Sequence, residues 1–364
     1  MDENIKKICE LLNIELIPDN RNYWLIRTGS GKFFSDFLKN NYVSIGWDEF
    51  NSKEDFMSMD EKKIKEQISK KYPDEKKPGY IYNQIKRFMF DIKIGDMVLI
   101  PSENSSQIAF GIITKDFFVR EIKNQQNTPN SQKCFFKKCI KVEWKTKILK
   151  NNFDPYLKML MFTHTTISDV NDYKDYINRA LYPMYSCNGK LHIIFNVLSK
   201  NNISLINLTS FLSSIDSYTK IFSDYIDINI NSNDLNVKVS VQSPGPIEIF
   251  GNIYNFATDN FSAILVLALI LNYIVGGSMK FTKTSQKEES EIGSDGLIEK
   301  ILKFKKESNK QKNKEKQLEL EAQRQQFEQQ LELLKITNPA QIDTPKKLLN
   351  EEINPSEDTF DKEN

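Results

Sequence analysis

The sequence predicts an α+β protein: a strand-rich N-terminal domain with a helical insert, a small α+β module, an apolar helix and a long charged helical tail. Three observations predict it. Short runs rich in β-branched and aromatic residues, each bounded by Gly, Ser, Asn or Pro, recur between Tyr23 and Phe118, which is the strand pattern. Between and after them lie stretches whose apolar residues repeat at the spacing of one helix face. The last third changes composition twice, to an uncharged apolar run over 261–277 and then to a Gln/Glu/Lys-rich stretch over 297–335.

Taken in order, Ile5, Ile8, Leu11 and Leu12 share a face and Pro18 stops the pattern, so residues 3–18 read as a helix packed on the domain that follows. Tyr23–Ile26 is a strand, Phe33, Phe34, Phe37 and Leu38 mark a short helix, and Tyr42–Ile45 is a second strand ending in Gly46-Trp47. The insert from about Lys53 to Phe90 carries two helical stretches joined by a loop over 71–79. Met97–Ile100 and Ile108–Ile113 are strands across the polar loop Pro101–Ser106. After a polar stretch over 120–133, residues 139–145 alternate as a closing strand. Residues 153–182 read as a helical hairpin with Ser168 as a cap. Leu191–Val197 and Val237–Gln242 are strands on either side of a helix over 205–222. The resulting division is 1–150 for the strand-rich domain, 151–256 for the α+β module, 257–278 for the apolar helix, 279–336 for the charged helix and 337–364 for a disordered tail.

Composition excludes several classes. There are 50 basic and 49 acidic side chains, a net charge of +1, so any basic face is local. Cys9, Cys134, Cys139 and Cys187 have no zinc spacing and read as free thiols in a reducing compartment. With only His164 and His192, a histidine metal site is not expected. The N-terminus lacks a signal pattern, which predicts a cytoplasmic chain. The run over 261–277 is shorter in its apolar part than the ~20 residues that span a bilayer. Lys280, Lys283 and Lys287 follow it, and the positive-inside tendency would then place everything before it outside. That conflicts with the missing signal. A membrane helix, an in-plane helix and a buried or self-associating helix all satisfy the pattern. The charged helix is compatible with a solvated single helix or with a coiled coil that forms a homo-oligomer.

The order of elements, with Trp24 on the first strand, Gly46-Trp47 ending the second, Gly95-Asp96 before a later strand and Gly111 on its neighbour, resembles the PUA-like superfamily and, within it, the EVE-like domains. The resemblance covers about residues 20–150. It implies a partly open β-barrel that binds nucleic acid, often a modified base in an aromatic-lined pocket, and it implies a role in sensing modified DNA or RNA, as in bacterial antiviral defence.

Against that expectation each site residue has a plain structural alternative. Trp24 and Trp47 either stack on an extruded base or fill the core. Arg27, Ser30 and Lys32 flank a Gly-Ser-Gly turn whose amides and charges suit a phosphate, or they are a solvated helix start. Arg87 lies on the insert beside its apolar stripe, and Ser102 opens the polar loop between two strands. Glu143-Trp144-Lys145 matches half of a metal-dependent nuclease core, with Asp116 as the nearest upstream carboxylate, and it also matches any exposed strand. His164 stands without a nucleophile motif. The sequence therefore predicts a non-enzymatic nucleic-acid-binding protein with no catalytic residues, metal or cofactor. Its rivals are a membrane-associated scaffold and a nuclease.

Overall fold

The computed structural model describes residues 3–121, 133–150, 154–199, 202–225, 228–230, 234–239, 245–253, 260–276 and 314–342. The chain divides into two compact units, one containing residues 20–177 and the other residues 1–19 with 178–344. Helix α1 (Glu3–Leu11) and strand β1 (Glu15–Leu16) open the chain but belong to the second of these. Ile8, Cys9 and Leu12 lie in its core, so the predicted first helix exists and packs there, not on the N-terminal sheet.

In the unit of residues 20–177, β2 (Tyr23–Ile26), α2 (Phe34–Asn40) and β3 (Tyr42–Ile45) come first. The insert follows as three helices, α3 (Lys53–Ser58), α4 (Glu61–Lys71) and α5 (Pro78–Lys86). Ser52 caps α3 by accepting the Asp55 N–H at 3.0 Å, and Pro78 starts α5 where no amide donor is needed. Then come β4 (Met97–Pro101), β5 (Gln107–Val119), β6 (Lys138–Leu149), α6 (Pro155–Met159) and β7 (Ile167–Asp169). Six strands form one sheet in the order β3-β6-β5-β4-β2-β7, curled into a half-barrel. Only β2 and β4 are parallel.

The bend has a local cause at Gly111. A Cβ there would meet Val142 Cγ1 at 2.4 Å and the Trp144 ring at 2.7 Å, so only glycine lets β6 press this close. The register of β5 on β6 shifts at the same place. Two cores result. One lies inside the curl with Trp24, Phe37, Val98, Ile140 and Trp144; the other joins α3, α4 and α5 through Phe56, Ile64, Ile68 and Ile85.

The boundary expected at 150 falls near 177. Ser168, read as a helix cap, lies instead in the edge strand β7, antiparallel to β2 with Trp24 opposite Asp169. Helix α7 (Lys174–Leu181) leads out of this unit.

The other unit contains β8 (Met184–Cys187), β9 (Lys190–Val197), α8 (Leu205–Tyr225), β10 (Asn229–Ile230), β11 (Asn236–Val239), β12 (Gly245–Asn252), β13 (Asn260–Phe261), α9 (Ala263–Gly276) and α10 (Lys314–Leu333). Its main sheet runs β1-β8-β9-β12-β11. Strand alternation sends Leu191, Ile193, Phe195 and Val197 into one core with Phe211 of α8 and Phe327 of α10, whose rings stack at 6.0 Å.

Two expectations change here. The apolar run is α9, a 14-residue helix whose residues Ala263–Leu271 are all buried in this core. Among the described residues no helix is long and apolar enough to cross a membrane. An apolar run looks the same to a bilayer and to a core, and here the sheet and α8 supply the apolar surroundings. The charged helix α10 is neither solvated on all sides nor free for a coiled coil. Leu320, Phe327 and Leu331 enter the core, while Leu318 stays exposed, so most of the helix's apolar residues are used within this chain. Beyond it Asn338 is buried and donates to the Leu271 carbonyl at 3.0 Å. The remainder of the predicted disordered tail, from residue 343, and the part of the predicted charged helix before residue 314 lie outside the described residues.

Candidate nucleic-acid interface

Trp24 is a core residue. It is buried, and its Nε1 donates to Asp96 Oδ2 at 2.8 Å. Asp96 also accepts the N–H groups of Asn22 at 3.1 Å and Lys93 at 2.9 Å. The carboxylate thus ties the start of β2 to the turn before β4, which gives the Gly95-Asp96 pair a structural role.

Trp47 is placed differently. Strand β3 ends at Ile45, and Trp47 takes a left-handed backbone with φ of +60°. That conformation is costly for a bulky side chain. The bend carries the indole out of the strand's inward phase and leaves it half-buried between the two cores, its ring edge-on to Tyr80 with centroids 6.5 Å apart.

Tyr80 leads to the rest of the site. It lies on α5, and its hydroxyl meets Thr166 twice, accepting the backbone N–H at 2.8 Å and lying 3.1 Å from Oγ1. One turn on, Gln84 Oε1 accepts the Ile167 N–H at 2.5 Å. Arg87, where α5 widens into a π-helical turn over Arg87–Asp91, donates to the Ile167 carbonyl at 3.2 Å. From the other side Arg27, at the end of β2, donates to the carbonyls of Met161 at 2.8 Å and Thr163. Residues 161–167 therefore form a strap held by both arginines. Burial lowers the proton affinity of the Arg27 guanidinium. Among the described residues neither arginine has a carboxylate partner, so both keep formal positive charge uncompensated against the strap. Burying charge without a counter-ion is unusual in a purely structural site.

Ser30 is exposed at a tight turn, and Ser102 is drawn into another contact. Gly29, Ser30 and Gly31 have three consecutive positive φ values. The N–H groups of Lys32, Phe33 and Phe34 are already used by the carbonyls of Gly29, Thr28 and Gly31. A Cβ on Gly31 would fall 2.2 Å from the Glu103 nitrogen, so the turn is pressed against the loop after β4. Ser102 is buried there, accepting the Gln107 N–H at 3.0 Å. These contacts tie the two loops together and occupy the amides at the start of α2.

The nuclease elements are also occupied. Trp144 is buried and donates to the Phe37 carbonyl at 3.0 Å, while Glu143 pairs with Lys145 at 3.0 Å. Asp116 pairs with Lys53 at 3.2 Å. Among the described residues no three His, Cys, Asp or Glu side chains are grouped to hold a metal ion. His164 is exposed on the strap, and the four cysteines are free thiols.

Residues 23–171 match a family described as a domain of unknown function (DUF8426). The matched span starts at β2 and ends just past β7, so it follows the half-barrel unit almost end to end. No curated protein and no solved structure matches the chain. The same unit carries the positive charge. Residues 20–177 contain 27 basic and 20 acidic side chains, net +7, and the other 206 residues contain 23 and 29, net −6. Sequence reasoning missed Tyr80, Gln84 and the strap, because nothing local marks residues that converge from α5 and from beyond residue 160.

Proposed function

We propose that the half-barrel unit is a nucleic-acid-binding module of the EVE-like kind, taking an unstacked base of a single strand or a modified base against Trp47. Arg27 and Arg87 face its phosphates, Tyr80 presents its ring edge beside the indole, and the chain carries out no chemistry on the ligand. The observation that carries this reading is the Trp47 turn, where strained backbone holds a large aromatic ring half out of the core against Tyr80, whose hydroxyl bonds the strap that Arg27 and Arg87 hold. Strain of this sort collects at ligand clamps, and base–aromatic stacking contributes ~1–3 kcal/mol per base. The net charge of +7 on this unit adds the long-range attraction that phosphate backbones require. A role in bacterial defence belongs to the same proposal and rests on the resemblance alone.

The test is a binding array of single-stranded and duplex DNA and RNA, with and without modified bases, probed with the full chain and with Trp47→Ala. The expected result is binding that prefers unpaired or modified bases and is lost selectively in the variant. Equal binding by both proteins would remove Trp47 from the site. No binding to any member would favour a protein-interaction role.

A further inference from the structure

Lys138 opens β6, and none of its surface is exposed. Its Nζ donates to the Trp47 carbonyl at 2.6 Å and lies 3.7 Å from Asp48 Oδ1. The Trp47 carbonyl also accepts the Phe50 N–H at 3.1 Å. On the strand side the Phe136 ring fills the space a Cβ on Gly46 would need, at 3.3 Å. A left-handed tryptophan persists only where its surroundings over-determine it. Here the contacts that pin the turn are the Phe136 ring, the Phe50 amide, the buried Lys138 ammonium and, one residue on, Asp48, which accepts the Lys137 N–H at 2.9 Å; only the ammonium bonds Trp47 itself with a charged group.

We propose that Lys138 is the positioning residue of the Trp47 site and that its ammonium makes the affinity of that site for nucleic acid depend on pH. This rests on the nucleic-acid reading of Trp47. The charged and titratable groups around Lys138 are few. Asp48, in the turn after β3, faces it and supports the charge. Cys139 is next to it on β6, and Cys134 and Arg120 lie on the segments that flank β6, where Arg120 donates to the Phe136 carbonyl at 2.8 Å. Burial pushes both thiols up, Cys134 to about 11, so they stay neutral near pH 8.

The sign follows from burial. Burial pushes Lys138 down to about 8, and Asp48 opposes the shift only in part. Below that pH the charged donor holds the carbonyl. Above it the neutral amine makes a bond roughly half as strong. Stability runs the other way. The folded pKa is depressed, so the unfolded chain binds the proton more tightly. Raising the pH from about 8 toward the ordinary lysine value then relieves a buried charge and favours the fold. Affinity should therefore fall over a range in which this lysine adds stability, a split that a merely structural lysine does not produce.

The experiment uses the full chain labelled with 5-fluorotryptophan. It has three tryptophans, and Trp47→Phe assigns the resonance of interest. Fluorine spectra, melting temperature and binding to a rhodamine-labelled single-stranded DNA are followed from pH 7 to pH 9. The Trp47 resonance should titrate near pH 8 while those of Trp24 and Trp144 stay fixed. Affinity should fall about tenfold, the ratio of protonated fractions for a group titrating at about 8. Lys138→Met should show the alkaline Trp47 resonance already at pH 7, weak binding at both pH values and an undiminished melting temperature, since replacing a buried charge by an apolar side chain is often neutral or stabilising. A Trp47 resonance that does not move in the wild-type chain overturns the proposal, as does binding unchanged by both pH and Lys138→Met. If Lys138→Met does not fold, the wild-type titration decides. If the wild-type chain binds no strand at all, the nucleic-acid reading fails, and the fluorine titration still decides whether Lys138 holds Trp47.

Discussion

The two units use the same materials to opposite ends. The unit of residues 1–19 and 178–344 sends its large aromatics inward, with Phe195, Phe211 and Phe327 in one contiguous core and α9 buried along nine consecutive residues. The unit of residues 20–177 has cores of its own, yet it leaves Trp47 half out on strained backbone and lets two arginines face carbonyls instead of carboxylates. One unit is negatively charged and the other positively charged. The difference teaches that function is better sought where a chain declines an available burial than where it buries most. Trp24 and Trp47 make the point within a single sheet, since the first completes a hydrogen-bond network in the core and the second avoids one.

Substitutions can break that contrast. The largest effect is expected in the cores. Phe327→Ala and Trp24→Ala should each cost about 3–5 kcal/mol of stability by denaturant unfolding, and Trp24→Ala should also leave Asp96 without its indole donor. Phe327→Ala should weaken nucleic-acid binding by the full chain far less than it weakens stability, and a fragment 20–177, which contains none of that core, should be folded by circular dichroism and still bind. An unfolded fragment would mean the two units do not stand alone. Next comes Trp47→Ala, which should leave melting nearly unchanged and cost about 1–3 kcal/mol of affinity in binding isotherms. If it melts early with no selective loss of affinity, Trp47 belongs with Trp24 as a core residue.

Smaller still, Arg27→Ala and Arg87→Ala should weaken binding to all sequences alike and each lower the salt slope by about 1. An unchanged slope would assign that arginine to the strap alone. The smallest effect concerns Glu248, buried on β12 with His192 Nδ1 at 2.6 Å, Arg179 at 3.6 Å and Lys238 at 3.9 Å. Burial alone would raise its pKa, but the His192 hydrogen bond and the charges of Lys238 and Arg179 outweigh that and hold it below the ordinary glutamate value. Its contribution is thus present above the ordinary pKa and is lost as pH falls through the lower folded value. Melting curves between pH 3 and pH 6 should therefore be flatter for Glu248→Gln than for the wild-type chain.

Much of the half-barrel was legible because its strands announce themselves. Runs such as Met97–Ile100 are short, β-branched and bracketed by turn residues, and Phe33–Leu38 carries a helix period. Strand β7 was not legible, since three residues are too few to show alternation. Apolar character cannot tell a membrane from a core, so α9 needed its neighbours before its role was clear. The partner of α10 is α8, about a hundred residues away, and no local pattern encodes that pairing. At the site, the sequence left Trp47 open between core and pocket, and the bend after Ile45 is what takes it out of the strand. Lys138 gave a signal that was overlooked. It falls in phase with Ile140, Val142 and Trp144, the inward face of β6, so its burial was written in the alternation.

The place where the half-barrel unit begins and ends in the chain has a consequence for synthesis. Tyr23 N–H donates to Asn171 Oδ1 at 2.9 Å, and Asn171 Nδ2 reaches Asn22 Oδ1 at 3.3 Å, so the two ends of the unit are adjacent. Its neighbours in sequence, β1 and β8, are parallel partners in one sheet. The half-barrel is thus a cassette spliced into another domain's first β-pairing. On the ribosome the opening nineteen residues must wait while the whole cassette is made, on the order of ten seconds or more at ~5–20 residues per second. The cassette's own last strand closes it before its host has a second strand to offer. A gene in which a short flexible linker replaces codons 20–177 should still yield the host fold.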